Sequence, residues 1–177
     1  KELSIFLRWH RDNTAEEKAV EAHRSIEVSD MDREFMGKAL EESQKSFDWW
    51  RQIGAVLARD GKVIAVGHNT HMPDEQSPNV HGDPRAVYSR GVNINLTTSA
   101  HAEMPLIAEA ARKGVSLAGA SLYVTEFPCP YCARLIAHSG IAQCYFSKGY
   151  AVLDGENIMK DAGVELIFVD ATSRLVK

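Results

Sequence analysis

A split pair of short motifs constrains this chain more than any other feature. The first, His101-Ala102-Glu103, opens one predicted helix, and the second, Pro128-Cys129-Pro130-Tyr131-Cys132, opens the next. One imidazole and two thiolates supply three metal ligands, which leaves a tetrahedral zinc with one open position. An open position is typical of a catalytic zinc rather than a structural one. The motifs therefore predict a zinc centre held by His101, Cys129 and Cys132.

The start of a helix suits the chemistry of these ligands. Unpaired backbone N–H groups and the positive end of the helix dipole favour the thiolate form of cysteine that a metal requires. Glu103 lies two residues from a ligand and is not needed as one, so it is free to move protons. A zinc site of this kind lowers the pKa of a bound water and gives a hydroxide nucleophile. The pattern therefore predicts hydrolysis with Glu103 as the proton shuttle.

Periodicity and turn signals predict an alternation of strands and helices. Ser29-Asp30-Met31-Asp32 has the capping-box pattern and starts a helix that runs to about Phe47. Asp60-Gly61 between two apolar runs predicts a β-hairpin. The later predicted elements are helix 100–113, strand 121–124, helix 129–139, strand 143–147, helix 155–162 and strand 165–169. Because the last strands are joined through helices, we predict parallel crossovers and an α/β fold with a five-stranded mixed sheet and helices on both faces.

A long stretch from His68 to Thr98 separates the hairpin from the first motif and is rich in proline and asparagine. Loops of this length inside a compact domain are usually functional or mobile. We expect this one to close over the active site and to determine which substrate is accepted. Four of its side chains could meet a phosphate group of a substrate, and the two guanidinium groups match phosphate geometry best: His71, His81, Arg85 and Arg90.

Length, charge and cysteine content bound the remaining possibilities. A chain of 177 residues suits one well-buried domain, which we expect at 31–177 after a helical N-terminal extension at 1–30. The net charge of −4 gives no overall positive field for nucleic acid. The three cysteines do not indicate a set of disulfide bonds, and their number is consistent with a protein of a reducing compartment. With neither a membrane span nor a signal peptide recognisable, we expect a soluble cytoplasmic protein.

Through the two motifs and the sequence around them, the chain resembles the cytidine and deoxycytidylate deaminase superfamily over roughly 31–170. Within that superfamily it resembles deoxycytidylate deaminases most of all. The runs that carry the resemblance are Arg51-Gln52-Ile53-Gly54-Ala55-Val56, Gly119-Ala120-Ser121-Leu122-Tyr123-Val124 and Pro128 to Ile136 with Gly140-Ile141. The resemblance implies a three-layer α/β/α cytidine-deaminase-like fold and zinc-dependent hydrolysis of a ring amine with release of ammonia. It also implies that Asn69 and the backbone of Ala102 bind substrate.

The resemblance further implies a homo-oligomer, and we expect Leu135, Ile136 and Ile141 to offer apolar surface for it. Two positions depart from the deoxycytidylate deaminase pattern. Pro105 stands where an asparagine usually follows the catalytic glutamate, and His68-Asn69-Thr70 replaces a Tyr-Asn-Gly loop. Both departures concern substrate recognition rather than the hydrolytic chemistry.

Two classes of function stay open at this point. The leading one is deamination of a cytosine nucleotide or nucleoside, with deoxycytidylate first, and its variants are a free nucleobase such as guanine, the pyrimidine intermediate of riboflavin synthesis, or a base in RNA or DNA. Nucleic acid is disfavoured because the chain has no basic stripe and because we expect Trp49 and Trp50 to pack. A non-catalytic zinc-binding module with a deaminase fold is an alternative of another class, against which the presence of Glu103 argues.

Overall fold

The structure, a computed structural model, describes residues 27–87, 96–149 and 154–170. Its strands in chain order are β1 (Gly54–Arg59), β2 (Lys62–His68), β3 (Thr70–His71), β4 (Ser99–Ala100), β5 (Ser121–Val124), β6 (Gln143–Phe146) and β7 (Glu165–Phe168). Five of them form the central sheet in the order β2-β1-β5-β6-β7, and β3 pairs with β4 in a separate ladder. The predicted five-stranded sheet is confirmed.

The predicted hairpin joins β1 to β2 in antiparallel register. Its two turn residues, Asp60 and Gly61, have φ angles of 52° and 70°. Positive φ at both central residues matches the right-handed twist of the flanking strands, and this requirement explains the Asp-Gly sequence. The hairpin is therefore specified locally by its turn.

Strand direction changes inside the sheet. β1 is antiparallel to β5, whereas β5, β6 and β7 run parallel to one another. Parallel neighbours require crossover connections, which the helices between them supply. Because β1 is antiparallel to β5, the first residues of β1 lie beside the last residues of β5, with Ala55 opposite Val124. One edge of the sheet thus collects the start of β1 and the ends of β2, β5, β6 and β7.

The helices are α1 (Asp30–Ser43), the short α2 (Ser77–His81), α3 (Glu103–Arg112), α4 (Pro130–Ser139) and α5 (Asp154–Asp161), with a 3-10 turn at Pro84–Ala86. Alternate strand residues face two different clusters, as the pleat requires. Val56, Tyr123 and Tyr145 pack with α1, while Leu57, Leu122 and Cys144 pack on the other face with α3 and α4. The predicted α/β/α layers are confirmed, and Cys144 is a core residue.

Two predictions about exposed and buried apolar residues are wrong. Ile136 and Ile141, which we expected at a subunit surface, are buried in the core at 0% and 3% exposure. Trp49 and Trp50, which we expected to pack, are 70% and 54% exposed. The tryptophans are exposed because α1 stops at Ser43 rather than near Phe47. They therefore lie on a turn outside the helix.

The stretch from His68 to Thr98 is less irregular than predicted. Its described part contains β3, α2 and the 3-10 turn, and β3 pairs with β4 directly before the first motif. Thr70 lies opposite Ala100, and His71 lies opposite Ser99. The two ends of the stretch are therefore joined by a backbone ladder. Residues 88–95, including Arg90, and most of the expected extension at 1–30 lie outside the described residues.

No helix in the described ranges is both long and apolar enough to cross a membrane.

Candidate metal centre and active site

His101, Cys129 and Cys132 come together as the sequence predicts. Nδ1 of His101 lies 3.3 Å from Sγ of Cys129 and 3.6 Å from Sγ of Cys132. The three ligand atoms all lie within 4.8 Å of one another. Within the described part of the chain, this is the one group of three or more such side chains that could hold a metal ion.

These distances fit a tetrahedral zinc. Zinc bonds of about 2.0–2.1 Å to nitrogen and about 2.3 Å to sulfur place neighbouring tetrahedral ligands roughly 3.6 Å apart. The two N–S distances observed here agree with that value. Two thiolates and one imidazole are also a donor set that zinc prefers. The residues present can therefore hold a zinc ion with a fourth position left for another ligand.

Two strand ends deliver the ligands. The chain leaves β5 at Val124, and Cys129 becomes the N-cap of α4 in an extended conformation, with φ −66° and ψ 164°. Pro130 occupies the first turn, where its missing N–H costs no helical hydrogen bond. Cys132 follows in the same turn and is fully buried. β4 leads into His101 and Ala102 in the same way, and α3 begins at Glu103.

The two cysteines differ in their readiness to ionise. The hydrogen bond from Cys132, assisted by His101, lowers the pKa of Cys129. The same hydrogen bond, together with burial, raises the pKa of Cys132. The pair thus holds one thiolate easily. A bound cation would stabilise the second, because metal coordination favours deprotonated thiols.

Glu103 is the least satisfied side chain of the site. It is 3% exposed, and its Oε2 atom is buried without a hydrogen-bond partner among the described residues. Burial raises the pKa of its carboxyl, since the charged form is poorly solvated there. A buried polar atom without a partner costs free energy and is rare in folded proteins. This atom therefore points to a ligand that completes the site.

Ala102 and Asn69, the two residues expected to bind substrate, are both buried. Ala102 is the N-cap of α3 between His101 and Glu103, and it is 0% exposed. Asn69 accepts a hydrogen bond from the Ile53 N–H through Oδ1 at 2.7 Å, and its Nδ2 donates to the Arg51 carbonyl at 2.8 Å. In this structure the Asn69 amide thus ties the end of β2 to the segment that enters β1.

Arg85 is held by two carboxylates. Its Nη1 donates to Oδ2 of Asp48 at 2.9 Å, and its Nε donates to both oxygens of Asp83 at 3.0 and 2.9 Å. Burial opposes its charge, but these two partners outweigh burial and raise the pKa of the guanidinium. Its expected role as a phosphate ligand stays a prediction, and the same holds for Arg90 outside the described residues.

Sequence reasoning missed several residues around the site. Asp48 and Ser99 hydrogen-bond each other at 3.1 Å although they are 51 positions apart, and Arg51 pairs with Glu126 across 75 positions. Asp48 carries one local signal, since an aspartate often accepts from backbone N–H groups two or three residues later in a turn. That signal indicates the turn but none of the distant partners.

Comparison with known proteins identifies the relatives of this chain. The model of the cytidine and deoxycytidylate deaminase zinc-binding region matches residues 29–148, which include all three ligand candidates. The chain is 42% identical over 167 residues to the deoxycytidylate deaminase of Enterobacteria phage T4, covering 73% of this chain and 84% of the phage protein. It is 28% identical over 125 residues to ComE operon protein 2 of Bacillus subtilis. That match covers 70% of this chain, which spans 63% of the relative's length.

Among solved structures, the fold is similar to that of the dCMP deaminase from cyanophage S-TIM5, crystallised in complex with dCMP and dUMP. The TM-score is 0.63 at 24% identity, and the superposition covers 81% of this chain and 100% of the phage chain. Zinc is therefore the metal that fits both the donor set and the matched region. By its matched region and its identity to the phage T4 protein, the chain belongs to the cytidine and deoxycytidylate deaminase family.

Proposed function

We propose that this protein is a zinc-dependent hydrolytic deaminase of a cytosine nucleotide or nucleoside, with deoxycytidylate as the first candidate substrate. The observation that carries the proposal is the buried Oε2 of Glu103, which has no hydrogen-bond partner in the described part of the chain and lies close to three potential metal ligands. A structural zinc site needs four protein ligands and no proton-transfer group. The described residues bring together three, and a carboxylate is placed close to them.

His101, Cys129 and Cys132 are the residues that would hold the metal. When bound, zinc supplies the acidity that lets a water react as a nucleophile near neutral pH. Cys129 is the N-cap of α4, and His101 lies two residues before the first residue of α3, so the two ligands approach from two different helix starts. The ligand geometry is consequently set by two elements of the core rather than by a mobile loop.

Glu103 is suited to carry the proton. Burial raises the pKa of its carboxyl towards neutral pH. A carboxyl with a raised pKa can both accept and return a proton there. In the overall reaction a C–O bond from water replaces the C–N bond of the exocyclic amine. Glu103 takes one proton from water and passes it to the ring nitrogen. It then takes the second proton from the hydroxyl now bonded to the ring carbon and delivers it to the amine, which leaves as ammonia while the carbonyl forms.

Substrate preference is inferred from relatives and from the residues around the site. The phage T4 relative is named a deoxycytidylate deaminase, and the cyanophage structure contains dCMP and dUMP. The backbone of Ala102 and the amide of Asn69 are the proposed contacts for base and sugar, and Arg85 and Arg90 are the proposed candidates for contact with a 5′-phosphate. The segment 68–98 is proposed to close over the site, and 1–30 is proposed to be an extension outside the deaminase domain.

A substrate screen tests this proposal. Ammonia release would be measured with dCMP, CMP, deoxycytidine, cytosine, guanine and adenine, and with short single-stranded DNA and RNA containing cytosine or adenine. The oligonucleotides are included because Trp49 and Trp50 are exposed and bases stack on such side chains. The highest kcat/KM is expected for dCMP. A preference for the unphosphorylated base would contradict the nucleotide assignment, and no ammonia from any substrate would favour the non-catalytic module.

Metal analysis gives a second test. Purified protein is expected to contain about one zinc per chain, with three protein ligands in its X-ray absorption spectrum. Cys129→Ser should lose most of this zinc, whereas Cys144→Ser should keep it because Cys144 lies outside the group of ligand candidates. A fourth protein ligand in the spectrum would make the site a closed structural one and would contradict the catalytic proposal.

A further inference from the structure

A buried carboxylate outside the metal centre joins three segments of the chain. The Asp48 side chain is 0% exposed. Its Oδ1 accepts from the backbone N–H groups of Trp50 and Arg51 at 2.8 and 3.1 Å. Its Oδ2 accepts from Arg85 Nη1 at 2.9 Å and from Ser99 Oγ at 3.1 Å. One side chain thereby contacts the turn before β1, the segment that follows β3, and β4.

β4 is the segment that matters for the site. It consists of Ser99 and Ala100, and His101 is the next residue. β4 is held on one side by its two-residue ladder with β3, which is short for an isolated pair. The hydroxyl of Ser99 supplies a second anchor through Asp48. The His101 backbone is therefore held on one side by the first turn of α3, where its carbonyl accepts from the Met104 N–H at 2.9 Å. On its other side it is held by β4, to which Asp48 provides a contact.

The ionic partners of Asp48 fit an anchoring role. Arg85 contacts Asp48 and Asp83, so one guanidinium faces two carboxylates. His71 Nε2 lies 3.5 Å from Asp48 Oδ2, and its Nδ1 lies 3.0 Å from Thr98 Oγ1. His71 in β3 and Arg85 in the middle of the segment between β3 and β4 therefore share one carboxylate with Ser99 of β4.

We propose that Asp48 is a positioning residue, which fixes β4 and thereby His101 by tying Ser99 to Arg85 and to the turn at 48–51. The inference rests on the proposed function only in taking His101 as a metal ligand. Partners that orient metal ligands commonly change metal affinity by about 10- to 100-fold when they are removed. Because Asp48 acts on His101 through β4 rather than by direct contact, we expect an effect near the lower limit.

The test compares two disruptive variants with two controls. Asp48→Asn removes the charge that Arg85 and Ser99 share, and Ser99→Ala removes the β4 link alone. Ser99→Thr keeps a hydroxyl and serves as the conservative rescue. Asp32→Asn removes a part-buried carboxylate on the other face of the sheet, where Asp32 accepts from Tyr123 at 2.7 Å, and it controls for a general loss of stability.

Zinc affinity would be measured by competition with a chelator, and the visible spectrum of the cobalt-substituted protein would report ligand geometry. Asp48→Asn should lower zinc affinity about tenfold and shift the cobalt bands, and Ser99→Ala should do the same to a smaller extent. Ser99→Thr and Asp32→Asn should match the wild type. Unchanged zinc affinity and cobalt bands in Ser99→Ala, or an equal loss in Asp32→Asn, would overturn the proposal.

The remaining outcomes are also decisive. If Asp48→Asn does not fold, the comparison of Ser99→Ala with Ser99→Thr still decides whether the link to β4 matters. If the wild type releases ammonia from no substrate, the proposed function fails, but the metal and cobalt measurements still test Asp48. In an active enzyme, displacement of His101 should lower kcat more than it raises KM, a split that general destabilisation would not produce.

Discussion

Glu103 combines two properties that rarely occur together in a side chain with a purely structural role. It is buried, and one carboxyl oxygen has no hydrogen-bond partner among the described residues. A protein that needed only to fold would gain stability from an apolar residue of similar size at this position, because a buried unsatisfied polar atom costs roughly 1–3 kcal/mol. Glu103 thus fits a functional role better than a structural one.

We expect Glu103→Gln to lower turnover by at least about 10²-fold, the usual lower range for a positioned acid–base group. Glutamine keeps the size and the hydrogen-bonding oxygen of the side chain but cannot take up a proton. Steady-state ammonia release would measure the effect. Zinc content and the midpoint of thermal unfolding should stay close to those of the wild type. Activity near the wild-type level would mean that another group moves the proton.

At this scale the sequence predicts local chemistry well and distant partners poorly. Two short motifs make the residues of the metal centre recognisable. His101 and Glu103 lie in one motif, and Cys129 and Cys132 lie in the other. Asp48 contacts Arg85 across 37 positions and Ser99 across 51. Such contacts follow from how the chain folds back between β3 and β4, and no local spacing encodes them. The ion pair of Arg51 with Glu126 was missed for the same reason.

The contact of α1 with β1 is unusually close. A Cβ atom on Gly54 would lie 2.0 Å from the Ala39 carbonyl oxygen and 2.5 Å from the Ser43 nitrogen. Both are backbone atoms of the helix, which cannot move aside without shifting α1 as a whole. The glycine at the start of β1 therefore sets how near the helix approaches the sheet.

We expect Gly54→Ala to lower the free energy of unfolding by at least about 2 kcal/mol, within the range for overpacking. Gly37→Ala is the matched control, because Gly37 lies inside the same helix and a Cβ there meets nothing within 4 Å. That change should raise the free energy of unfolding by roughly 0.5–1 kcal/mol, the difference between alanine and glycine in a helix. Denaturant unfolding would measure the free energy of unfolding of both variants. Equal changes in the two variants would contradict a close contact between Gly54 and α1.

The N-terminus of α1 carries a second testable feature. Asp32 accepts hydrogen bonds from the Ser29 N–H at 2.9 Å and from the Tyr123 hydroxyl at 2.7 Å. Burial alone would raise the pKa of Asp32, but the hydrogen bonds from Ser29 and Tyr123 outweigh it and lower the pKa below its usual 3.8. The carboxylate therefore links the capping box of α1 to the sheet.

The lowered pKa predicts how this link responds to acid. A carboxyl whose folded pKa lies below its unfolded value contributes stability above the unfolded value and loses it as pH falls through the folded one. The difference in unfolding free energy between wild type and Asp32→Asn should thus be largest above about pH 5 and shrink below pH 4. Asp30→Asn removes a charge from the same helical turn and provides the comparison. A difference that does not vary with pH would contradict the assignment.

The sequence predicts the elements themselves more reliably than their ends. Capping-box and Asp-Gly signals locate the start of α1 and the hairpin because each depends on a few neighbouring residues. The end of α1 carries no comparable signal. The predicted helix continued to Phe47, whereas the chain turns after Ser43. Asp48 stabilises the turn at 48–51 with two backbone hydrogen bonds, and the aromatic residues there become exposed.

For the molecule as a whole we expect a homo-oligomer, most simply a dimer or tetramer. Ile136 and Ile141 lie in the core and cannot supply the interface. Several other large apolar side chains are more than half exposed, namely Phe47, Trp49, Trp50 and Tyr131. A group of exposed large apolar side chains is typical of an interaction surface. Light scattering coupled to size-exclusion chromatography would measure the mass, and a monomer at micromolar concentration would contradict the prediction.

The residues of the site and the β1–β2 turn lie at opposite ends of the sheet, which has a practical consequence for labelling. The ends of β2 and β5 lead to Asn69, Glu126 and Cys129 at one edge of the sheet, while the Asp60–Gly61 turn lies at the opposite end of β1. Six residues of β1 separate the two edges by roughly 20 Å. A fluorophore attached beside this turn would accordingly report on tumbling and assembly without touching the reacting groups.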